Sequence, residues 1–206
     1  DPNNDWKVNP DELDKLKDPS IKALFIVNPT NPASRAFDDD VLNKIREIVT
    51  ENPNLMIITD DVYGTFVDGF QTVHSVAPEN TLLIYSFSKL YGATGWRLGL
   101  LAMNQNNIFD RLIHELPADE QAAINDRYRL VETDPDKLPF IERIAADSRS
   151  IGLYHTSGLS TPQQMMEVLF ALTHLVYANG STDAYIDECR YVVNRRYTDL
   201  VKGLGI

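Results

Sequence analysis

The sequence predicts an α/β protein, a mostly parallel sheet flanked by helices. Short apolar runs rich in β-branched residues recur through its first half, a helical pattern separates the first two, and the first three end on polar side chains. Strand, helix, strand with short links is the pattern of a βαβ unit, whose crossover is right-handed and whose sheet is covered on both faces.

Ile21 to Val27 is β-branched and stops at Asn28-Pro29, as a buried strand does. A turn rich in Asn and Pro follows. From Phe37 to Thr50 the apolar residues Phe37, Val41, Leu42, Ile45, Ile48 and Val49 recur at helical spacing, with aspartates at the front where the helix dipole favours negative charge. Pro53 limits its extension. Leu55 to Thr59 leads into Asp60-Asp61-Val62-Tyr63, Thr81 to Tyr85 leads into Ser86, and a fourth run spans Leu98 to Met103. The stretch from Asn104 to Arg149 is polar and the least informative, with helices expected over Ile108 to Leu116 and Ala118 to Val131. Thr161 to Ala178 is apolar and helical, with Pro162 in the first turn, and Asp183 to Leu204 reads as an amphipathic helix. No internal repeat, heptad array or low-complexity tract is present.

A chain of 206 residues suffices for one good core and is short for two complete domains. Its net charge of -11 argues against a nucleic-acid or anionic-membrane partner. Cys189, the single cysteine, rules out an internal disulfide and a cysteine-rich zinc site, and it reads as inert; no metal site is expected. No apolar run is long enough to span a bilayer, and the opening Asp1-Pro2-Asn3-Asn4-Asp5 lacks the pattern of a secretory signal, so a cytoplasmic location is expected. The missing initiating methionine and the stop at Gly203-Leu204-Gly205-Ile206 suggest a fragment, cut at both ends.

Ligands of open α/β sheets bind beyond the carboxyl ends of the strands, where this chain carries Asn31, Asp60 with Tyr63, and Ser86 with Lys89. Taken singly, each has a plain explanation: Asn31 shapes a turn, Asp60 caps a helix, Tyr63 is an interface aromatic, and Lys89 is a surface lysine in a glycine-rich turn. Together they supply an amine, a carboxylate, a phenol, an amide and a phosphate clamp, the set that pyridoxal 5'-phosphate requires. An Asp at the pyridine nitrogen keeps the ring protonated and electron-accepting, a role that suits Asp60. Tyr63 and Asn31 suit the O3' oxygen, Lys89 the covalent link and proton transfer, and Ser86 with Arg97 the phosphate. Two other classes stay open: a magnesium-dependent phosphoryl-transfer enzyme using Asp38-Asp39-Asp40 or Asp60-Asp61, and a non-catalytic assembly module.

Asn28-Pro29-Thr30-Asn31-Pro32, Asp60-Asp61-Val62-Tyr63 and Ser86-Phe87-Ser88-Lys89 with Gly95-Trp96-Arg97-Leu98-Gly99 resemble the ordered motifs of the class I aminotransferases, pyridoxal-phosphate enzymes of fold type I. The resemblance implies the aspartate aminotransferase fold, incomplete at both ends, with the strand near Arg97 antiparallel in a mostly parallel seven-stranded sheet. It implies the same roles for Lys89, Asp60, Tyr63, Asn31, Ser86 and Arg97, and a contact of Asn31 with the substrate α-carboxylate. It also places the family's principal α-carboxylate arginine past the end of this chain and its phosphate-holding glycine loop before Asp1. Where the family has Thr or Ala and then Gly after Asn-Pro, this chain has Ala33-Ser34, a departure that bears on the turn.

A narrower resemblance lies in Glu115-Leu116-Pro117-Ala118-Asp119 and in the stretch from Leu153 to Gln164, which look like those of bacterial aspartate 4-decarboxylases. It implies conversion of L-aspartate to L-alanine and carbon dioxide with side transamination, in a homo-oligomer, against the alternative of an ordinary aminotransferase with another amino acid substrate. Ser160-Thr161-Pro162 resembles a family segment that approaches the active site of a neighbouring subunit. Residues 1–183 are then part of the large cofactor domain, with a helical insertion near 104–150, and 184–206 a helix linking to a small domain. His155 in its loop reads as structural, and Arg143, Arg149, Arg195 and Arg196 read as solvated ion-pair residues.

Overall fold

The computed structural model describes residues 4–150, 160–178 and 183–205. Its strands are β1 (Ala23–Val27), β2 (Met56–Asp60), β3 (Thr81–Ser86) and β4 (Gly99–Met103). Its helices are α1 (Asp39–Glu51), α2 (Ile108–His114), α3 (Ala118–Asp126), α4 (Phe140–Ser150), α5 (Thr161–Ala178) and α6 (Ala184–Leu204). Among the described residues no helix is long and apolar enough to cross a membrane.

The sheet runs in the order β1-β2-β3-β4. The first three strands are parallel, pairing Val27 with Asp60 and Asp60 with Ile84. The fourth is antiparallel to β3 and pairs Ser86 with Gly99, as the family resemblance implies. This register sets the carboxyl ends of β1, β2 and β3 side by side.

Alternation along β2 explains why helices cover both faces. Ile57 is fully buried in a cluster with Val41, Leu42, Ile45 and Ile48 of α1, together with Leu55 and Val73. Its neighbours Met56 and Ile58 point the other way, against Leu82, Ile108, Phe109, Phe140 and Ile144. Each fully buried aliphatic side chain contributes roughly 1.5–3 kcal/mol. Helix α1 starts where Asp38 caps it by accepting from the Val41 amide, and at its far end Asn52 Nδ2 reaches the carbonyls of Leu16, Asp18 and Ile21, sharing its two hydrogens among them.

Two expectations for the polar stretch need correction. Helix α3 ends at Asp126 rather than near Val131, because the Tyr128 amide folds back to the Asn125 carbonyl and the buried Tyr128 ring sends its hydroxyl to Asp147, 3.2 Å away. Arg143 is not a solvated ion-pair residue. It is 4% exposed, donates to the carbonyls of Leu138 and Pro135 and to Asn125, and lies over the Tyr128 ring. Its partners are neutral carbonyls gathered by a loop, which a charge pattern cannot reveal. Arg195 and Arg196 are exposed as expected, Arg195 facing Asp199. Helix α4 carries Arg149, and its start is fixed by the Phe140 amide donating 2.6 Å to Asp110.

Candidate active site

Three chain turns meet beyond the carboxyl ends of β1, β2 and β3. The first begins at Asn28, fully buried, whose Oδ1 accepts from the Phe37 amide at 2.9 Å and whose Nδ2 donates to the Gln71 carbonyl. The Thr30 amide donates to the Arg35 carbonyl and the Ser34 amide to the Thr30 carbonyl, closing a tight loop. Ser34 there adopts a left-handed φ of 57°, at the place where the resemblance implies glycine. Asn31 stands on this loop, exposed, and donates from Nδ2 to the Tyr63 hydroxyl at 3.3 Å.

The second turn leaves β2 at Asp60. The Asp61 amide donates to the Ile84 carbonyl, the Gly64 amide returns to the Asp61 carbonyl, and Asp60 Oδ1 accepts from the Val62 amide at 3.1 Å. Asp61 is the buried member of the acidic pair. Its carboxyl accepts from Thr59 Oγ1 at 2.6 Å, and burial pushes it above the usual carboxylate range. A Cβ on Gly64 would lie 2.5 Å from the Phe70 ring, so any larger residue here makes that ring shift.

The third turn leaves β3 at Ser86, whose Oγ accepts from the Ser88 amide at 3.2 Å and bonds the Ser88 hydroxyl at 3.0 Å. Lys89 follows, exposed, its Nζ 6.0 Å from the centre of the Tyr63 ring. The loop returns through Thr94, whose hydroxyl donates to the Ser88 carbonyl at 2.7 Å, to Arg97. Arg97 has a left-handed φ of 53° and donates from Nη1 to the Thr94 carbonyl at 3.1 Å. The Phe87 amide donates to the Leu98 carbonyl, so Arg97 comes back beside Ser86. Ser86, Ser88 and Arg97 line one concavity of about 360 Å³.

The structure therefore gathers the predicted residues in two groups. Asn31, Tyr63 and Lys89 form the first, joined across three strand ends. Ser86 and Arg97 form the second, and Ser88 belongs with them although it had been given no role. The turn that follows Ser86 brings it back, its amide and hydroxyl both meeting Ser86 Oγ. Asp60 sits half-buried at the β2 end, its Oδ1 engaged in the turn. Asp38 is a helix cap, and among the described residues no three His, Cys, Asp or Glu side chains converge as metal ligands. His155 and the stretch from Leu153 to Leu159 lie outside the described residues. Ser160 is described at the start of α5, donating to Gln163 Oε1 from both its amide and its hydroxyl.

Comparison with known proteins gives these groups a setting. The profile of the aminotransferase class I and II family matches residues 1–126. Over its whole length the chain is 49% identical to the bifunctional aspartate aminotransferase and L-aspartate beta-decarboxylase of a Pseudomonas species, and it spans 38% of that protein. Aromatic-amino-acid aminotransferase 2 of Thermococcus litoralis is 38% identical over 105 residues, 48% of this chain and 26% of that one. Among solved structures, aspartate aminotransferase from Thermus thermophilus with maleate superposes over 99% of this chain and 43% of its own, with a TM-score of 0.67 at 21% identity, which speaks for the fold. The chain thus spans about two fifths of the length of these full-coverage relatives. Enzymes of this family depend on pyridoxal 5'-phosphate. With more than half of its residues matched by the family profile and a parallel sheet closed by an antiparallel strand, the chain belongs to the aminotransferase class I and II family, in its fold type I form.

Proposed function

We propose that the protein carrying this chain converts L-aspartate to L-alanine and carbon dioxide, with aspartate transamination as a side reaction. The observation that carries this reading is the identity of 49% along the whole chain with a bifunctional aspartate aminotransferase and beta-decarboxylase. The family profile ends at residue 126, whereas that similarity continues through the α4 to α6 region.

The donor set fits the family's cofactor. An amide and a phenol already hydrogen-bonded to each other, an amine beside the phenol, and two hydroxyls with a guanidinium around one concavity are the groups that a phenolate, an aldehyde and a phosphate need. When bound, pyridoxal 5'-phosphate supplies a protonated ring that accepts the electrons released at the substrate Cα. Lys89 would bond to its aldehyde carbon and, once displaced by substrate, carry the Cα proton. Asp60 would hold the proton on the ring nitrogen, and Asn31 and Tyr63 would donate to the ring oxygen. Arg97, Ser86 and Ser88 would clamp the phosphate, the guanidinium matching two oxygens at once. Asn31, exposed at the mouth, would also meet the substrate α-carboxylate.

In this reading residues 1–183 belong to the large cofactor domain and 184–206 lead toward a small domain, within a homo-oligomer. The test is to give the intact protein L-aspartate with an oxo-acid acceptor and measure carbon dioxide with alanine against oxaloacetate. Carbon dioxide and alanine in equal amounts are expected. Oxaloacetate alone reduces the claim to an ordinary aminotransferase; neither product removes aspartate from it.

A further inference from the structure

Among the described residues, α5 and α6 send three side-chain donors to backbone carbonyls at or near site residues. Gln163 of α5 donates from Nε2 to the Trp96 carbonyl at 2.8 Å, next to Arg97. Tyr185 of α6 donates its hydroxyl to the Leu90 carbonyl at 3.0 Å, next to Lys89. Arg190 of α6 donates from Nε to the Thr65 carbonyl at 2.8 Å, two residues after Tyr63. We propose that α5 and α6 form a strap in which Gln163, Tyr185 and Arg190 are positioning residues, setting Lys89 and Arg97 against Tyr63. The proposal rests on the cofactor reading above.

The geometry favours alignment over simple helix docking. Tyr185 and Arg190 stand five residues apart on one rigid helix, roughly 7.5 Å of rise, so α6 fixes how far the Lys89 turn lies from the Tyr63 turn. Farther along, α6 exposes Tyr191, Val193, Tyr197 and Leu200, whereas its first turns carry the donors and the Tyr185 ring that stacks on Tyr91. Arg190 is steadied by Asp68 at 3.1 Å and Asp187 at 3.9 Å. Thr65 is tied in turn to β3 through its hydroxyl and that of Tyr85, 2.8 Å apart.

Aromatic packing shares the positioning of the Lys89 loop with these tethers, Trp96 stacking on Phe170 at 6.0 Å. Tyr91 stacks on Phe170 at 4.8 Å and on Tyr185 at 5.6 Å, but a cavity of about 220 Å³ remains between Phe87, Tyr91, Trp96, Leu98 and α5. Next to such an open concavity the hydrogen-bond tethers add to what packing supplies. A hydrogen bond with Cys189, then burial, pushes the Tyr185 phenol up, so it stays a donor across the neutral range.

The test uses the intact protein with Tyr185→Phe, Arg190→Met, Arg190→Lys and Gln163→Glu, and Tyr197→Phe as a control on the same helix. Tyr185→Phe keeps the ring stack and removes only the donor. In the cofactor-free protein, backbone amides in 87–98 and 63–67 are expected to exchange with solvent roughly three- to tenfold faster in the tether variants, the effect of one lost hydrogen bond. Pyridoxal-phosphate binding should weaken by a similar roughly three- to tenfold factor, and the pH midpoint of the visible absorbance of the lysine-linked cofactor should move, with Arg190→Lys recovering part of both. If Arg190→Met fails to fold, Arg190→Lys and Tyr185→Phe carry the measurement. Wild-type exchange, affinity and pH midpoint in those variants overturn the strap alone, when borohydride treatment of a separate wild-type sample fixes the cofactor on Lys89. A wild-type protein that takes up no cofactor overturns the strap and the cofactor reading together.

Discussion

Replacing Gly99 by alanine should displace the Ser86–Arg97 side of the candidate site, and the structure gives the size of the effect. A Cβ on Gly99 would lie 2.7 Å from the Tyr85 carbonyl oxygen, inside the 3.0 Å that real Cβ contacts respect. The obstacle is backbone in a paired strand, so relief requires β3 and β4 to part by several tenths of an ångström. That movement pulls on the Ser86–Gly99 pair and on the bond from the Phe87 amide to the Leu98 carbonyl, which together return Arg97 to Ser86. Overpacking of this kind costs about 1–3 kcal/mol, and the stiffer unfolded chain of an alanine variant offsets about 0.4–1 kcal/mol. A net loss of about 1–2 kcal/mol is expected. Gly95, with nothing within 4 Å of its would-be Cβ, is the matched control, and Gly95→Ala should be neutral or gain up to about 1 kcal/mol. Urea unfolding of the two variants side by side measures the difference. Pyridoxal-phosphate affinity should fall roughly tenfold in Gly99→Ala alone, the worth of one weakened charge-assisted hydrogen bond. If Gly99→Ala unfolds like Gly95→Ala and binds the cofactor like wild type, the claim that strand register sets the Ser86–Arg97 pair is wrong.

Lys89→Ala should remove the visible band of the lysine-linked cofactor in the intact protein, and a normal band in that variant would remove the covalent assignment. Asn31→Ala and Tyr63→Phe should each weaken cofactor binding about two- to fivefold, and the double variant should lose less than the product because the two share one hydrogen bond; titration of all four proteins gives the cycle. Ser34→Gly should raise the unfolding free energy by up to about 1 kcal/mol, since relief of a left-handed φ exceeds the added chain entropy of glycine. For Asp61, burial raises the folded carboxyl above 3.8, so its protonated form is the stabilising one. That contribution is full below pH 3.8 and is lost as pH rises through the folded value. Asp61→Asn should flatten this part of the stability profile and unfold later than wild type at neutral pH, as thermal melts across the range would record.

The four strands and α1 were legible within about two residues because each carries its own periodicity, and the aspartates at the front of α1 marked its start through the helix dipole. The end of α3 and the whole of α4 were not, because what sets them is remote. Asp110 receives the Phe140 amide, Asp147 receives the Tyr128 hydroxyl, and carbonyls assembled by a loop receive Arg143. A charge in a polar stretch carries no sign of such partners.

For the site, the amino-acid sequence by itself determined which chemical groups stand at the strand ends, since a βαβ pattern exposes whatever follows each strand. It also marked Gly99 and the departure at Ser34. Only the tertiary structure decided which groups meet. The Asn31–Tyr63 bond spans 32 residues, and the tethers from Tyr185 and Arg190 span 95 and 125. Contacts of that range leave no local pattern, because they depend on strand register and on where a helix comes to rest, and both follow from the packing of the whole chain.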